Sequence, residues 1–453
     1  MMRSNKISLL LIAVAITVSC NSDRLSDTPE SNPNSNAAVN SDEVASADSK
    51  PIPGQYIVVL NDGVLDKSGL AVSKGALQNR EAYLRQTGSL LDKLKSKDNG
   101  LNLGINSQKI SNAFGYALEG FVAKNLTDAE VEALRKDPKI KSVEQDYQVS
   151  LGKTTGIIAK AASTQEIPWG ITRVGGAGDG TGKTAWVIDS GIDLDHPDLN
   201  VDTQRSVSFA GDNNPDDGNG HGTHVAGTIA AINNNIGVVG VAAGAKVVAL
   251  KVLKSDGTGD FSWTVSALDY VYANASAEDV VNMSLGPRSR YRDSATEQAV
   301  LKVAEKGIRL AIAAGNSYDD ASYYSPAAVN ATNVYTISAS AEGDYWAYFS
   351  NYGSPVDYAA PGFQVKSTWL NGGYNTISGT SMASPHAAGV LLLGAPNTDG
   401  ATPKPAYWEY RYGFLSNGTF GKIYTGRYGP TNTYTLADYR YDKDGVADKI
   451  IRR

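Results

Sequence analysis

Val187-Ile188-Asp189-Ser190-Gly191-Ile192-Asp193 is an apolar run that stops at a carboxylate and turns on a glycine. A buried strand of an α/β sheet ends this way when it delivers a side chain to the C-terminal edge, where such sheets build their sites. The surroundings repeat the pattern. Short apolar runs at 185–188, 246–252, 280–283, 309–314 and 334–338 alternate with helical segments and Gly-rich turns. Runs without polar alternation are strands covered on both faces, so the chain reads as a mostly parallel central sheet flanked by helices, an α/β fold. Taken singly, Asp189 also fits a metal ligand, a nucleotide contact or a helix cap.

Two further segments narrow those uses. Asn219-Gly220-His221-Gly222-Thr223-His224-Val225-Ala226-Gly227 places two histidines three apart at the start of a small-residue helix. His-x-x-His can ligate zinc, yet the glutamate of a metalloprotease helix is missing and no third ligand stands out. Ser378-Gly379-Thr380-Ser381-Met382-Ala383-Ser384-Pro385-His386 sets a serine at another helix start. A helix N-terminus exposes a nucleophile and offers unpaired amides to a developing oxyanion. A serine nucleophile needs a base for its proton and a buried carboxylate to orient and balance that base. Asp189, His221 and Ser381 supply all three.

The three boxes, in the order Asp, His, Ser, resemble those of the subtilisin-like serine peptidases. The likeness runs over residues 165–390, about half of the chain, and implies a subtilisin-like fold and endopeptidase activity through an acyl-enzyme, with broad specificity. In Ala313-Ala314-Gly315-Asn316, the resemblance implies that Asn316 donates to the oxyanion beside the Ser381 N–H. Gly257 and Gly259, in Asp256-Gly257-Thr258-Gly259, and Ser284, Leu285 and Gly286 resemble the two edges between which an extended substrate adds a strand. Ala313, Ala314 and Gly315 would floor the primary pocket; no matched position carries charge, so apolar or aromatic residues are expected there. Tyr323 and Tyr324 look more like the proteinase K branch than the bacterial subtilisins. The resemblance also implies a structural calcium ion, held by the side chains of Gln165, Asp198 and Asn234 and the carbonyls of Ile232, Ile236 and Val238, an all-oxygen set. No organic cofactor is implied.

Residues 54–149 read as a separate small domain. Tyr56-Ile57-Val58-Val59-Leu60 is a β-branched strand, and Leu77, Leu84, Leu91 and Leu94 recur at near-helical spacing. A strand at 114–122 follows, then a second helix opened by the capping pattern Thr127-Asp128-Ala129-Glu130 and a last strand at 140–149. This βαββαβ order is an α+β, ferredoxin-like unit. It resembles the family's inhibitory propeptide, which implies an intramolecular inhibitor that is cut off by the enzyme itself. Residues 150–164 read as the cleavable linker, with the cut near Ser163. Residues 165–395 read as the peptidase domain.

The ends are of other kinds. Residues 1–20 carry Arg3 and Lys6, an apolar run over 7–18, then Ser19 and Cys20, the layout of a signal peptide. Cys20 is the only cysteine, so no intrachain disulfide forms. Its place resembles a bacterial lipoprotein site, with a lipid-anchored chain as one reading and an ordinary secretory signal as the other; Thr17 stands where that pattern usually has Leu. Either reading places the protein outside the cytoplasm. Residues 21–53 are polar and small and read as a tether. In 396–453, a C-terminal tail of unassigned role, eight of the 24 tyrosines fall within 407–441, which sets it apart in texture. Asp442 to Asp448 read as a solvated turn. With 41 Lys and Arg against 47 Asp and Glu, the charge balance points to no nucleic-acid partner. The expected partners are polypeptide substrates and the chain's own propeptide, and the expected form is a monomer. The rival class is a non-catalytic surface scaffold.

Overall fold

The computed structural model describes residues 49–67, 80–96, 101–151, 164–402, 410–414, 420–424, 444 and 446–453. Cys20 and the leader, the tether up to residue 48, Leu77 and the linker residues 152–163 lie outside the described residues.

The N-terminal unit is built from β1 (Pro51–Leu60), α1 (Arg80–Lys95), β2 (Ile110–Phe114), β3 (Gly120–Ala123), α2 (Asp128–Lys136) and β4 (Ile140–Ser150). Its sheet has the order β4-β1-β3-β2, every pair antiparallel. This is the βαββαβ order that the sequence predicts. Helix α2 starts where its cap requires: Thr127 Oγ1 accepts from Glu130 N, and the Glu130 carboxylate accepts from Thr127 N. Helix α1 corrects the expected face. Its buried residues are Tyr83, Thr87, Leu90 and Leu94, whereas Leu84 is 45% exposed. The leucine spacing misplaces the face because Tyr83 does not join the core of its own unit. It packs edge-on against Tyr270 of the protease helix α5 (Phe261–Asn274), with ring centroids 4.8 Å apart.

In the second unit the strands Thr184–Asp189, Lys246–Lys251, Val280–Met283, Arg309–Ala313, Val334–Ala341 and Val356–Pro361 are joined in parallel. All six residues of Thr184–Asp189 are buried. Trp186 and Ile188 enter one hydrophobic core, and Ala185 and Val187 enter the other, on the opposite face. Two covered faces are why this strand shows no polar alternation. The α4 helix (His221–Ala230) and α7 (Thr380–Leu393) pack into the second core through Val225, Ala226, Ala383, Ala387 and Ala388.

The reading of Asp442 to Asp448 as a solvated turn is corrected at Asp448, which is buried; residues 442, 443 and 445 lie outside the described residues. The strand Lys449–Arg452 lies parallel beside Val356–Pro361 and antiparallel to Asn397–Ala401, extending the sheet. Ile450 and Ile451 are fully buried, and Asp448 is buried with its carboxylate accepting from Ser338 Oγ at 2.6 Å. Burial pushes the Asp448 carboxyl up to about 7. The Tyr-rich stretch is therefore bracketed by two strands of one sheet rather than left as a free end. Sequence pattern misses this because Lys449-Ile450-Ile451-Arg452 is too short a run to announce a strand without its neighbours.

Candidate active site

Asp189 ends the strand Thr184–Asp189, and its carboxylate is fully buried. His221 is the first residue of α4, and its Nδ1 lies 2.8 Å from Asp189 Oδ1 and 3.0 Å from Oδ2. That contact fixes the proton on Nδ1 and leaves Nε2 as the acceptor. The entry to α4 has little freedom. Gly220 has φ 102°, and a Cβ there would meet the Trp369 ring at 2.4 Å. Beneath it, Asp217 accepts from the N–H groups of Asn219, Gly220 and Thr223 and from the hydroxyls of Ser190 and Thr223. Sequence reasoning missed Asp217. The Asp-Gly-Asn-Gly run before His221, an Asx-turn pattern, was the available signal.

Ser381 is the second residue of α7, whose N-terminus lies under the same sheet edge. Register explains the meeting: Met283 is opposite Ile188, so Ser284 follows at the level of Asp189. The Ser381 hydroxyl donates to Ser284 O at 3.2 Å, and Ser284 Oγ donates to Ser381 O at 2.9 Å. A hydroxyl has one proton to give. Handing it to His221 requires the Ser381 side chain to leave the Ser284 carbonyl, as hydrogen bonds in unliganded sites commonly do when substrate arrives.

Asn316 follows the strand Arg309–Ala313, and its Oδ1 accepts from Thr380 N and Thr380 Oγ1 at 2.8 and 2.9 Å. The oxygen is held by the start of α7, which fixes the amide plane and leaves Nδ2 as its donor end. Asn316 Nδ2 and Ser381 N stand 3.5 and 3.6 Å from one point, the place a Cβ would take on Gly379. Asn316 Oδ1 is 3.8 Å from the same point, so what the geometry gives is two nitrogen donors near one space that glycine leaves open, the groups an oxyanion needs. Ala313, Ala314 and Gly315 lead into this turn; Asn351, which the sequence reading missed, braces it by donating to Ala314 O and accepting from Ser317 N and Asp319 N.

None of the other three histidines joins this site; His196 Nε2 lies 3.0 Å from Gly373 O. His224 Nε2 lies 2.9 Å from Val365 O, a contact that only an N–H can make, and burial lowers its imidazole to about 3. The zinc reading of His221 with His224 is overturned: one faces Asp189 and the other a carbonyl. His386 Nδ1 meets Met382 O at 2.8 Å inside α7, and burial lowers this ring to about 4.

The expected substrate edge is occupied. The strand Thr258–Asp260 pairs antiparallel with β4, Gly259 opposite Val149. A Cβ on Gly259 would lie 2.1 Å from Val252 O, so the backbone approach depends on glycine. Ser284, Leu285 and Gly286 stand beyond the strand Val280–Met283, next to Ser381. The N-terminal unit is held by carboxylates on helix starts. Asp146 Oδ1 accepts from Ser262 N of α5, and Glu144 Oε2 accepts from Ser294 N of α6 (Ser294–Glu305). In the other direction, Asp269 of α5 accepts from the N–H groups of Gly115, Tyr116 and Ala117 and from Tyr83 Oη. Tyr147 stacks on Tyr291 at 3.7 Å.

At the expected calcium position, Gln165 Nε2 donates to Ile232 O at 2.7 Å, to Val238 O at 3.2 Å and to Asn234 Oδ1 at 3.4 Å. Asp198 accepts from Asn234 Nδ2 and Val238 N. Five of the six expected ligand residues are thus brought to one place; with the Gln165 amide turned to present its oxygen, the set is all-oxygen, which fits a hard cation.

A parallel α/β sheet that sets a buried Asp–His pair beside a helix-borne serine, with a second unit across its peptide edge, has the parts of a serine hydrolase and its inhibitor. Comparison with known proteins gives the same result. Residues 180–404 match the subtilase family, and residues 55–152 match peptidase inhibitor I9. The chain is 39% identical over 351 residues to alkaline serine exoprotease A of Vibrio alginolyticus, covering 74% of this chain and 62% of that one. It is 37% identical over 341 residues to subtilisin NAT of Bacillus subtilis subsp. natto, covering 71% of this chain and 82% of that one. A cold adapted subtilisin-like serine proteinase of known crystal structure is 42% identical, covering 50% of this chain and 83% of that one, with a TM-score of 0.44. The chain belongs to the subtilase family of serine proteases and carries an I9 inhibitor unit ahead of its protease unit.

Proposed function

We propose that the protein is an exported serine endopeptidase, made as a self-processing precursor, with Asp189, His221 and Ser381 as its triad. The observation that carries this reading is the Asp189–His221 pair at the sheet edge where α7 begins with Thr380 and Ser381, with Asn316 Nδ2 and Ser381 N near one open point. Ser381 Oγ attacks the peptide carbonyl while His221 Nε2 takes its proton, and Asp189 balances the imidazolium. His221 then protonates the leaving amine, and water releases the acyl-enzyme by the same path. Recognition through the main chain along Gly257 and Gly259 and along Ser284, Leu285 and Gly286 favours broad specificity, with apolar residues entering a pocket floored by Ala313, Ala314 and Gly315.

Calcium at Gln165, Asp198, Ile232, Asn234, Ile236 and Val238 would cross-link the segment before α3 (Trp169–Arg173) to two loops of the protease, a structural role. The final N-terminus falls near Ser163, which keeps Gln165 at that place. Residues 1–20 support export, either as a secreted protein or with Cys20 as the lipid attachment point on the envelope; among the described residues no helix is long and apolar enough to cross a membrane. Wild type and Ser381→Ala are to be compared by intact mass and by reaction with a fluorophosphonate probe. Cutting and labelling in wild type alone are expected. A folded precursor that is neither cut nor labelled would replace this reading with the non-catalytic scaffold.

A further inference from the structure

Arginine recurs at alternate positions in Arg288-Ser289-Arg290-Tyr291-Arg292, just beyond the cleft edge of Ser284, Leu285 and Gly286. Two of the three are neutralised inside the protease unit. Arg290 holds both oxygens of Asp319 at 2.6 Å, and Arg292 holds those of Glu297 at 2.8 and 2.6 Å. Among the described residues no carboxylate pairs with Arg288. Burial moves its guanidinium below the usual arginine value with no opposing charge, whereas hydrogen bonds to their carboxylates raise Arg290 and Arg292. Its contacts are with the inhibitor side of the chain instead. Arg288 N donates to Ser49 Oγ at 2.9 Å, Arg288 Nη2 donates to the Leu151 carbonyl oxygen, and Nε is buried without a partner. Release of the N-terminal unit therefore leaves a half-buried cation at the cleft edge with neither of these contacts, and such a group gains most from a ligand that supplies the missing acceptor.

The strand now in the cleft shows which residue of a bound peptide the guanidinium meets. Ser150 lies opposite Thr258, and Leu151 continues the ladder by donating its N–H to Gly257 O at 2.8 Å. Val149 and Leu151 are the buried side chains, with Ser150 half-buried between them. Ser150 Oγ donates to Leu151 O at 3.3 Å, the same oxygen that Arg288 reaches from the other edge. Two donors on one oxygen set the Ser150 side chain beside the guanidinium. A carboxylate at that residue extends a bond or two further than a hydroxyl and can accept from Arg288 in place of the backbone oxygen, the planar pairing that arginine makes best.

We propose that Arg288 is a specificity-determining residue: in the mature cleft it pairs with an acidic side chain on the substrate residue that takes the place of Ser150, and the enzyme favours Asp or Glu there. The proposal rests on the serine-protease reading above and on the cleft edges assigned in it. It adds a charged preference away from the primary pocket floored by Ala313, Ala314 and Gly315. The carboxylate of the opposite edge does not oppose it directly, because Asp256 Oδ1 is occupied within its own turn by Thr258 N and Thr258 Oγ1 at 2.9 and 2.6 Å.

The test is kinetic, on mature enzyme and two series of chromogenic peptides with a constant apolar residue before the scissile bond. A single Glu, or a single Gln, is moved through the three residues ahead of it. At one of these positions kcat/KM should be roughly fivefold higher for Glu than for Gln, carried by KM, and the ratio should fall as salt is raised. Arg288→Gln should abolish the preference, and Arg288→Lys should restore part of it. In the full-length precursor, Ser150→Glu should lengthen the lag between cutting and peptide hydrolysis relative to Ser150→Gln, and should not do so in Arg288→Gln. Equal rates for Glu and Gln at all three positions in wild type, or a preference that survives Arg288→Gln, overturns the proposal. The protease reading then still stands on fluorophosphonate labelling and cleavage of the Gln series. Absence of both labelling and cleavage overturns both.

Discussion

Asn316 shows how much of this site is made by small restraints. Its oxygen is tied to Thr380, which leaves its nitrogen side as a donor fixed in advance. Asn316→Ala should lower kcat by about 10²–10³, the loss known for one such donor in subtilisin, with KM little changed, since the donor serves a charge that exists only in the transition state. Steady-state kinetics on a chromogenic peptide checks this; a change confined to KM would assign Asn316 to ground-state binding instead. Asp189, His221 and Ser381, the proposed triad, could be picked out at this scale because each is embedded in a local motif with its own geometry. Asp217 and Asn351 were not. Both act by accepting from or donating to backbone groups of other segments, and such partners have no fixed spacing in the sequence.

Between elements, the hold of the N-terminal unit on the protease depends on buried carboxylates. Burial raises Asp146 to about 6, and burial followed by the neighbouring Glu144 and Asp146 raises Asp293 to about 7. A free carboxyl titrates near about 4, so the part of this burial and charge that docking supplies, at Asp146 against α5 and at Asp293 beside Glu144 and Asp146, makes the docked state bind more protons than the separated one. Docking is then strongest below pH 4 and weakens as pH rises through 6 to 7. After the precursor is cut, the lag before peptide hydrolysis should be longer at pH 5.5 than at pH 8, and Asp146→Asn should flatten part of that dependence. A lag that lengthens with pH would contradict the sign. The element that sequence misread, the buried face of α1, belongs to this same interface: Tyr83 is buried by Tyr270 and bonds to Asp269, partners from another unit that no periodicity in α1 could announce.

For the whole molecule, stability without disulfides rests on one long sheet and, in the proposed function, one ion. The final strand carries Ile451, fully buried in the second core. Ile451→Ala should cost about 2–5 kcal/mol and lower the melting temperature in calorimetry; an unchanged melting point would mean that the C-terminal strand is dispensable. Chelation should also lower the melting temperature, with calcium restoring it in proportion to the logarithm of its concentration above Kd. No response to calcium would remove the ion from the account. The pairing of Lys449–Arg452 was not legible because its partners, Val356–Pro361 and Asn397–Ala401, both lie far back in the chain, separated from it by residues 402–448.

Residue order alone was enough for the α/β class, the βαββαβ unit, the capped start of α2 and the identity of the candidate triad. Strand burial, helix caps and nucleophile turns are local chemistry, and they leave local patterns. What required the folded chain was everything that depends on register and contact between distant segments: Ser284 brought level with Asp189, His224 turned away to Val365, Tyr83 facing α5, and β4 laid along Gly257 and Gly259. Those relations arise because parallel strands and docked units are joined by long connections, and the energy that selects their partners is burial summed over the whole core.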